Sequence, residues 1–483
     1  MVDPLERPAE SRATGLRRDL GTLESYAALI GILIGAGIFK VTGQAWLLTG
    51  PSVILGYAVL APAILSTSVA YSVYLSTPLG REPGGEYTHI SRTFGGYGVA
   101  FVGVWLKIIS YIGALAYLAL ALAEYSVEIS GGLLRAQDRM TVALGSLLFF
   151  YLVHVAGVRW FGRIQVAMCA LLGLSILVLV LPGLPAIRFA HYRPFFTHGF
   201  SGFAASLPPL FFAYAGFESL AQAAGEVRDS TRRLPVIFAK GIAVATLAYF
   251  LMSAVAFGVL PGERLAASSA PMVEVASVYL SGAAAWFVGL GAVMALATSV
   301  NATMLVPSRL TVILARDRLA PAWLGAIART TGTPAIGLSL TFAAAAVLLA
   351  SGQIAVALNI AVFALVLLYF IHSLALLCLP RANPALFASV TVRTPRAVQR
   401  VAAVLSLLAM GVLIALQVGE DVAAFGRLSL KERIATHSLT TLELCAMWSV
   451  VGVAIYALGR WRGARERYDY QLALKATRAG TGA

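Results

Sequence analysis

Long apolar stretches separated by short polar segments run along most of the chain. Twelve windows of about 20 apolar residues, the length that a helix needs to cross a bilayer, can be placed between residues 22 and 459. We number them spans 1 to 12, in chain order. They lie near residues 22–46, 51–77, 97–128, 139–157, 162–183, 201–224, 235–259, 276–314, 334–351, 353–380, 398–418 and 439–459. The pattern predicts an all-α polytopic membrane protein with about twelve transmembrane helices.

The composition supports this interpretation. The 483 residues are 59% hydrophobic and only 12% charged, whereas soluble globular proteins carry about 25% charged residues. A net charge of +14 could suit nucleic acid. However, the basic residues lie at the ends of the spans, where they mark membrane topology. We therefore expect the lipid bilayer as a partner and no nucleic acid.

The arginines also predict an orientation. With the N-terminus in the cytoplasm, the inner loops carry many more basic residues than the outer loops, as the positive-inside rule requires. We expect a cytoplasmic tail over residues 1–20, one transmembrane domain over 21–460 and a cytoplasmic tail over 461–483. Short loops and an arginine-rich chain are typical of a bacterial or archaeal inner membrane. The inner-side arginines include Arg81, Arg92, Arg159, Arg163, Arg228, Arg232, Arg233, Arg316, Arg318, Arg329, Arg381, Arg393, Arg396 and Arg400.

Span 1 contains three glycines in a short apolar run, at Gly31, Gly35 and Gly37. Each glycine costs about 1 kcal/mol of helix propensity, which a lipid-facing helix has no reason to accept. Irregular backbone at membrane depth is tolerated only inside protein or beside a watery cavity. The run therefore predicts an interrupted helix whose free backbone groups hold a ligand. The alternative is close packing of helices through small residues.

Span 6 has a comparable interruption. Pro208 and Pro209 precede a run that contains Gly216 and the acidic residue Glu218. Two interrupted spans at matching positions in two five-helix units predict an inverted repeat with a binding site between its halves. The first repeat would cover about 21–183 and the second about 201–380. Spans 11 and 12, about 398–459, would lie outside the repeat.

Four stretches in consistent order resemble the amino acid–polyamine–organocation (APC) transporter superfamily. They are the glycine run at 31–39, Pro83–Thr88 with Ser91–Gly95, the span 6 run with its continuation to Pro235, and Ser308–Arg309 with Ala315–Asp317. The resemblance covers roughly residues 21–380. It implies a LeuT-type fold with spans 1 and 6 unwound around a site at the midplane, and a secondary transporter that works by alternating access.

An amino acid needs donors for its carboxylate and acceptors for its ammonium. We expect the carboxylate at the N–H groups of the broken span 1, where a helix N-terminus favours an anion. By the resemblance, carbonyls of span 6 take the ammonium, two phenylalanines form a lid or wall, and span 8 adds a threonine. The predicted substrate-binding residues are Ile34, Gly35, Ala36, Gly37, Phe212, Ala213, Ala215, Phe217 and Thr303.

Charged residues inside the spans are candidates for proton transfer or gating. Glu218 either senses protons or braces the break in span 6. We expect Lys107 to extend to the inner interface; the alternative is a side chain that faces the bundle and pairs with an acid. Glu226 and Asp229 are interpreted as part of a cytoplasmic gate or surface ion network with nearby arginines. We interpret His372 as structural, with a polar pocket residue as the alternative.

The coupling ion is left as three hypotheses: sodium, protons, or exchange without an ion. Proton-coupled or exchanging relatives carry a lysine in span 5; at the corresponding position, this chain has Leu172. In sodium-coupled relatives, the ion binds carbonyls of span 1 and a carbonyl and two hydroxyls of span 8. The candidate Na⁺ ligands here are Gly31, Ile34, Ala295, Thr298 and Ser299. Alternatively, the two hydroxyls bond only to carbonyls of their own helix.

These interpretations predict a transporter for an amino acid, with a neutral one favoured because only Glu218 is well placed to bind a second cationic group. Polyamine exchange and an amino acid sensor remain as alternatives. We find no protease, hydrolase or P-loop motif, so we expect neither an enzyme nor an ATP-driven pump. We expect no cofactor beyond a coupling Na⁺ or H⁺. An accessory subunit is not implied.

Overall fold

A computed structural model of the chain describes residues 16–35, 37–352, 354–435, 439–472 and 474. Secondary structure within this part is helical, apart from one isolated β-bridge between Leu20 and Val227. The all-α prediction is confirmed. The bridge ties the segment before span 1 to the segment after span 6, through hydrogen bonds from Leu20 N to Glu226 O (3.0 Å) and from Arg228 N to Leu20 O (2.9 Å).

Every predicted span coincides with one or more helices. Ten helices of the described part are long and apolar enough to cross a membrane, and Ala335–Ser351 is a shorter apolar helix. Span 6 is divided into two pieces. In span order, the helices are Thr22–Leu33 with Gly37–Val41 and Thr42–Thr49, Val53–Leu75, Gly98–Ile129, Arg139–Val155, Val158–Gly183, Gly199–Phe211 with Ser219–Gln222, Ser230–Val259, Gly282–Arg316, Ala335–Ser351, Ile354–Ala382, Arg396–Phe425 and Thr441–Arg465.

The predicted interruptions of spans 1 and 6 are both present. The first helix ends at Leu33, and Ile34 has a non-helical ψ of 67°; the chain resumes as a π-helical turn at Gly37–Val41. In span 6, turns follow Phe211, and Gly216 has a φ of +101°, which only glycine adopts readily. A Cβ atom on Gly37 would lie 2.3 Å from the Cα atom of Ala213. The two interruptions are therefore in direct contact.

Spans 3 and 8 form the central frame of the bundle. Gly98–Ile129 and Gly282–Arg316 have 32 and 35 residues. At 1.5 Å per residue, the second is about 52 Å long, so it extends beyond the hydrocarbon layer. Spans 11 and 12 lie at the periphery, where most of their apolar side chains are exposed. That exposure fits helices that face lipid.

Three shorter helices that the hydrophobic pattern did not separate help to position the site. Gly85–Phe94 connects spans 2 and 3, and all but its last residue are buried. Gly262–Ala267 and Pro271–Ser277 precede span 8, which begins at Gly282 rather than near 276. The last long helix extends to Arg465, five residues into the segment predicted as a tail. Beyond it, Tyr470 packs back on the helix under Arg460.

Candidate functional site

A cavity lies where the two interruptions meet. It is bounded by spans 1, 3, 6, 8 and 10. Its walls are mostly apolar, with hydroxyl groups from Ser110, Tyr111, Ser299 and Thr303. The lining residues are Ile32, Leu33, Gly37, Ser110, Tyr111, Ala114, Leu118, Phe212, Ala215, Gly216, Ser299, Thr303, Ala361 and Leu365.

Tyrosine hydroxyls from neighbouring helices satisfy carbonyls that the break in span 1 frees. Tyr57 donates to Gly37 O at 3.0 Å, and Tyr125 donates to Phe39 O at 2.6 Å. The hydroxyl of Tyr249 bridges Leu33 O in span 1 and Ala213 O in span 6. Because a buried carbonyl without a partner is costly, these tyrosines stabilise the interrupted conformation and join the two breaks.

The structure divides the predicted residues of span 1 between different environments. Gly37 lines the cavity. The N–H of Gly35, predicted to be free, donates to Leu33 O at 2.8 Å, and a Cβ atom on Gly35 would lie 2.0 Å from Ser299 Oγ. Ile34 is buried but does not line the cavity. Ala36 lies outside the described residues.

The predicted residues of span 6 are also divided. Phe212 and Ala215 line the cavity, as does Thr303 from span 8. Phe217, predicted as a lid or wall, instead packs against Tyr71, Phe238 and Tyr369, with its ring fully buried. It belongs to the core behind the cavity, and it directly follows Gly216, whose left-handed backbone (φ +101°) interrupts the helix.

Four of the five predicted sodium ligands lie together. The hydroxyl of Thr298 is 2.9 Å from Gly31 O and 2.7 Å from Ala295 O. The hydroxyl of Ser299 is 3.1 Å from each of the same two carbonyls. The hydroxyls therefore bond to their own helix and also reach across to span 1. No hydrogen bond joins Ile34 to this group in the part of the chain that the structure describes.

Span 5 adds polar groups to this position. The side-chain amide of Gln165 donates to Ala27 O and to Thr298 O, both at 3.2 Å. The thiol of Cys169 donates to Ala27 O at 3.1 Å. The span 5 side chains nearest to a Cβ built on Gly31 are those of Gln165 and Cys169, two groups that sequence reasoning did not place beside the candidate ion ligands.

The expectation that Lys107 extends to the membrane interface is wrong. Its side chain is fully buried, and its ammonium lies 2.9 Å from both carboxylate oxygens of Glu86 and 3.5 Å from Glu218. We call these three residues the Glu–Lys–Glu cluster. Glu86 lies on the buried helix Gly85–Phe94 and pairs with Lys107. This pair keeps the ammonium inside the bundle and away from the membrane interface. The alternative interpretation, pairing with an acid, is the one observed.

Hydrogen-bond donors surround both carboxylates of the cluster. Tyr111 donates to Glu218 at 2.6 Å, the N–H of Gly216 donates at 3.0 Å, and Tyr369 donates as well. Tyr71 and Gln222 donate to Glu86. In their ordinary charged forms, the two carboxylates and the one ammonium give the cluster a net charge of −1.

The cluster is connected to the cavity. Tyr111 and Gly216 both line the cavity and both bond to Glu218. Glu218 thus accepts a hydrogen bond from Gly216, which lies in the interruption of span 6, as a bracing role requires.

Glu226 does not pair with the neighbouring arginines as predicted. It forms a bidentate ion pair with Arg309 of span 8, with both N–O distances at 2.9 Å and both side chains buried. Asp229 does pair with nearby Arg233, at 2.8 Å on the surface. A second buried pair, Arg92 with Asp317 at 2.9 Å, was not predicted. Residues far apart in sequence form both buried pairs, so local charge patterns could not reveal them.

His372 has a structural environment and does not line the cavity. Its Nε2 atom lies 2.9 Å from Nδ1 of His89, and its ring contacts Tyr71 and Tyr74. Burial, His372 and Lys107 hold the pKa of His89 well below its usual range. A neutral imidazole fits this site, since one histidine must donate to the other.

The functional groups that were not predicted have only weak signals in the sequence. Glu86 lies in the Pro83–Thr88 stretch, which served only as a marker of resemblance. Tyr57, Tyr125 and Tyr249 are ordinary tyrosines in apolar spans, and their targets are backbone atoms, which no sequence motif marks. Among the described residues, no group of three or more His, Cys, Asp or Glu side chains could hold a metal ion.

The chain is similar to known proteins along most of its length. The family described as amino acid permease matches residues 20–455. The branched-chain amino acid permease BcaP of Bacillus subtilis is 26% identical over 68% of this chain and 73% of its own length. The methylthioribose transporter of the same organism is 26% identical over 68% and 74%. The chloroplastic cationic amino acid transporter 9 of Arabidopsis thaliana is 28% identical over 63% and 56%.

Proposed function

The chain belongs to the amino acid permease family, within the APC superfamily, and we propose that it moves an amino acid across the membrane by alternating access. Its multi-pass helical architecture and its small-molecule cavity agree with that role. We also propose the predicted orientation, with both termini in the cytoplasm of a cell whose inner membrane holds the protein.

One observation carries the proposal: the cavity lies at the contact between two interrupted helices. Gly37 from the first interruption and Ala215 and Gly216 from the second line the same space. Such breaks expose N–H and C=O groups together, which suits a ligand that is both anion and cation. We propose that the amino acid carboxylate faces span 1. Its ammonium faces span 6, towards the net negative charge of the Glu–Lys–Glu cluster.

A neutral substrate with an apolar side chain fits the cavity lining. Leu33, Leu118, Phe212 and Leu365 contribute large apolar side chains to the wall, and no carboxylate of the described residues lines it. The relatives' names cover branched-chain and cationic amino acids and methylthioribose, so the test must include all three classes. A cationic side chain would have to approach Glu218, whose oxygens already accept four donors, Lys107 included.

We propose sodium as the first candidate for the coupling ion. The support is the group of oxygens from Gly31, Ala295, Thr298 and Ser299, which suits a hard monovalent cation. Ser299 also lines the cavity, so ion and substrate would be neighbours. Binding of the ion would order residues that hold the substrate, and binding of the substrate would order residues that hold the ion. The two binding events would therefore be coupled.

Proton coupling is the second candidate, and the Glu–Lys–Glu cluster favours it. The cluster carries one more carboxylate than ammonium inside the bundle, where an uncompensated charge is costly. One proton on Glu218 would bring its net charge to zero and weaken the bonds from Gly216 and Tyr111. If this carboxylate titrates during transport, Glu218→Gln should flatten the dependence of uptake rate on pH. An unshifted pH profile would assign Glu218 to bracing alone.

A thermal-shift screen tests the proposal and separates these candidates. The purified protein is heated with each of the twenty amino acids, agmatine, putrescine and methylthioribose, in sodium and in choline buffer. A ligand that binds only the folded state raises the unfolding temperature with its occupancy. We expect a neutral apolar amino acid to stabilise the protein, and more strongly in sodium. Stabilisation independent of sodium would support protons or exchange, and stabilisation by amines alone would contradict an amino acid substrate.

A further inference from the structure

The connection between spans 10 and 11 forms a one-sided basic surface. Residues 318–419 contain no aspartate or glutamate. This stretch includes the end of span 10 and the beginning of span 11. Arg381 lies in the last turn of span 10, Arg393 lies between the two spans, and Arg396 and Arg400 lie in the first turns of span 11. All four side chains are exposed. Membrane topology alone predicts positive charge at the inner end of a span. It does not predict a groove beside that charge.

A groove lies between the end of span 10 and the beginning of span 11. It contains about 800 Å³ of empty space, with one wall formed by Leu376, Leu377, Pro380 and Phe387. Its polar side holds Arg381, Arg396, Arg400 and Gln399. We call it the span 10–11 groove. Within the described residues, no carboxylate lines it and none forms an ion pair with these three arginines.

The groove is arranged for a molecule with an apolar body and an anionic head. The guanidinium carbon of Arg396 lies 4.9 Å from the centre of the Phe387 ring, which holds this arginine against the apolar wall. Beyond the groove, Val398, Val401 and Leu405 of span 11 are exposed, as they would be beside acyl chains. Aqueous phosphate would match the arginines but would leave this apolar wall without a partner.

A second basic cavity lies on the other side of the same connection. It is lined by Arg81, Arg232 and Arg393 and by hydroxyl groups of Ser76, Thr77, Thr231, Ser389 and Thr391, and again by no carboxylate among the described residues. Thr391 Oγ1 donates to Ser76 O at 2.8 Å, which fixes the connection between the two cavities. Two arginine-lined cavities therefore lie beside residues 384–395.

We propose that an anionic phospholipid of the leaflet at this end of the bundle binds in the span 10–11 groove. Its phosphate contacts Arg381, Arg396 and Arg400, and an acyl chain lies along Leu376, Leu377 and Phe387. Basic pockets between helix ends at a membrane surface are suited to anionic headgroups, at roughly fivefold in affinity per arginine. The proposal is independent of the transported substrate and of the coupling ion.

Native mass spectrometry of the full chain tests it, with phosphatidylglycerol and phosphatidylethanolamine as probes. We expect phosphatidylglycerol to bind more tightly, and R381Q/R396Q/R400Q to weaken its binding roughly 100-fold. The matched control R159Q/R163Q/R329Q removes three exposed arginines from the same predicted side of the membrane, one of which also stacks on an aromatic ring. It should bind like the unaltered chain. The charge-preserving R381K/R396K/R400K should retain most of the binding.

Three outcomes would overturn the proposal. Equal binding of the two lipids would remove the role of charge. Equal losses in the two glutamine triples would indicate a general effect of surface charge and no specific groove. Displacement of phosphatidylglycerol by excess inorganic phosphate would identify a soluble phosphate compound as the ligand. A failure of amino acid binding in the thermal-shift screen would leave all of these measurements unaffected.

Discussion

At the scale of single residues, the ammonium of Lys107 compensates two buried carboxylates from different parts of the chain. Glu86 lies on the helix between spans 2 and 3, and Glu218 lies in the interruption of span 6. The three residues connect the cavity wall to a helix that does not touch the cavity. A buried ion pair seldom adds net stability, but the loss of one partner leaves a charge without compensation.

We therefore predict that Lys107→Met destabilises the protein strongly. The change leaves Glu86 and Glu218 ionised without a counter-ion, at a cost of about 3–5 kcal/mol. Thermal unfolding in detergent measures it. The double variant Lys107→Met/Glu86→Gln removes one of the two charges and should recover part of the loss. Equal unfolding temperatures for Lys107→Met and the unaltered chain would mean that the ammonium does not compensate the carboxylates.

A second prediction concerns the candidate sodium ligands. Ser299→Ala removes one hydroxyl from the group around Gly31 and Ala295, so the sodium concentration for half-maximal uptake should rise roughly tenfold. Ser253→Ala is the matched control, because that buried hydroxyl bonds only within its own helix. Sodium dependence that is the same in both variants would exclude the site at Ser299.

Individual residues could be predicted from the sequence where the residue type is unusual inside a membrane helix. Glu218 and Gly37 were marked because a charge and a glycine are costly inside a membrane helix. Phe217 was misplaced because its direction depends on the turn at Gly216, which the sequence marks only as a glycine. The snorkelling expected of Lys107 was wrong because its partner, Glu86, lies 21 residues away on an element that the hydrophobic pattern does not show.

At the scale of elements, the two interruptions act as one unit. Gly37 contacts Ala213, and the hydroxyl of Tyr249 bridges Leu33 O and Ala213 O. A movement of one interruption must therefore either strain the other interruption or move it as well. Alternating access in this family would use such a unit, because a change at the substrate is transmitted directly to both half-helices.

We predict that Gly37→Ala reduces uptake at least tenfold. The added Cβ atom would lie 2.3 Å from backbone and side-chain atoms of Ala213, and overpacking of this kind typically costs 1–3 kcal/mol. Gly173→Ala in span 5 is the control, since nothing lies within 4 Å of its Cβ position and alanine favours the helix. Normal uptake by Gly37→Ala would show that the two breaks need not touch during transport.

Elements were predictable to different degrees. All twelve apolar spans coincide with helices because length and hydropathy fix them, and both breaks were marked by glycine or proline. The helix Gly85–Phe94 was not predicted as a separate element, because its sequence is polar. All but its last residue are nevertheless buried. Its polar side chains find partners in spans 3, 8 and 10, which only the tertiary structure brings near.

At the scale of the whole molecule, the cavity is enclosed by helices from both halves of the chain. Buried ion pairs Arg309–Glu226 and Arg92–Asp317 join distant segments, and they lie at residues predicted to be near the cytoplasmic ends of the spans. The order of helices and the positions of the breaks followed from the sequence. The packing of the segments against one another did not, because it rests on contacts between residues as many as 343 positions apart.

The most direct test of the account is counterflow in proteoliposomes made with the purified full chain. Vesicles are loaded with unlabelled leucine, isoleucine and valine, and entry of the same labelled amino acids is followed in sodium and in choline. We expect transient accumulation several-fold above protein-free vesicles, and its loss in Gly37→Ala but not in Gly173→Ala. Folded protein that gives no counterflow with any of the twenty amino acids would contradict the proposal that this cavity carries an amino acid.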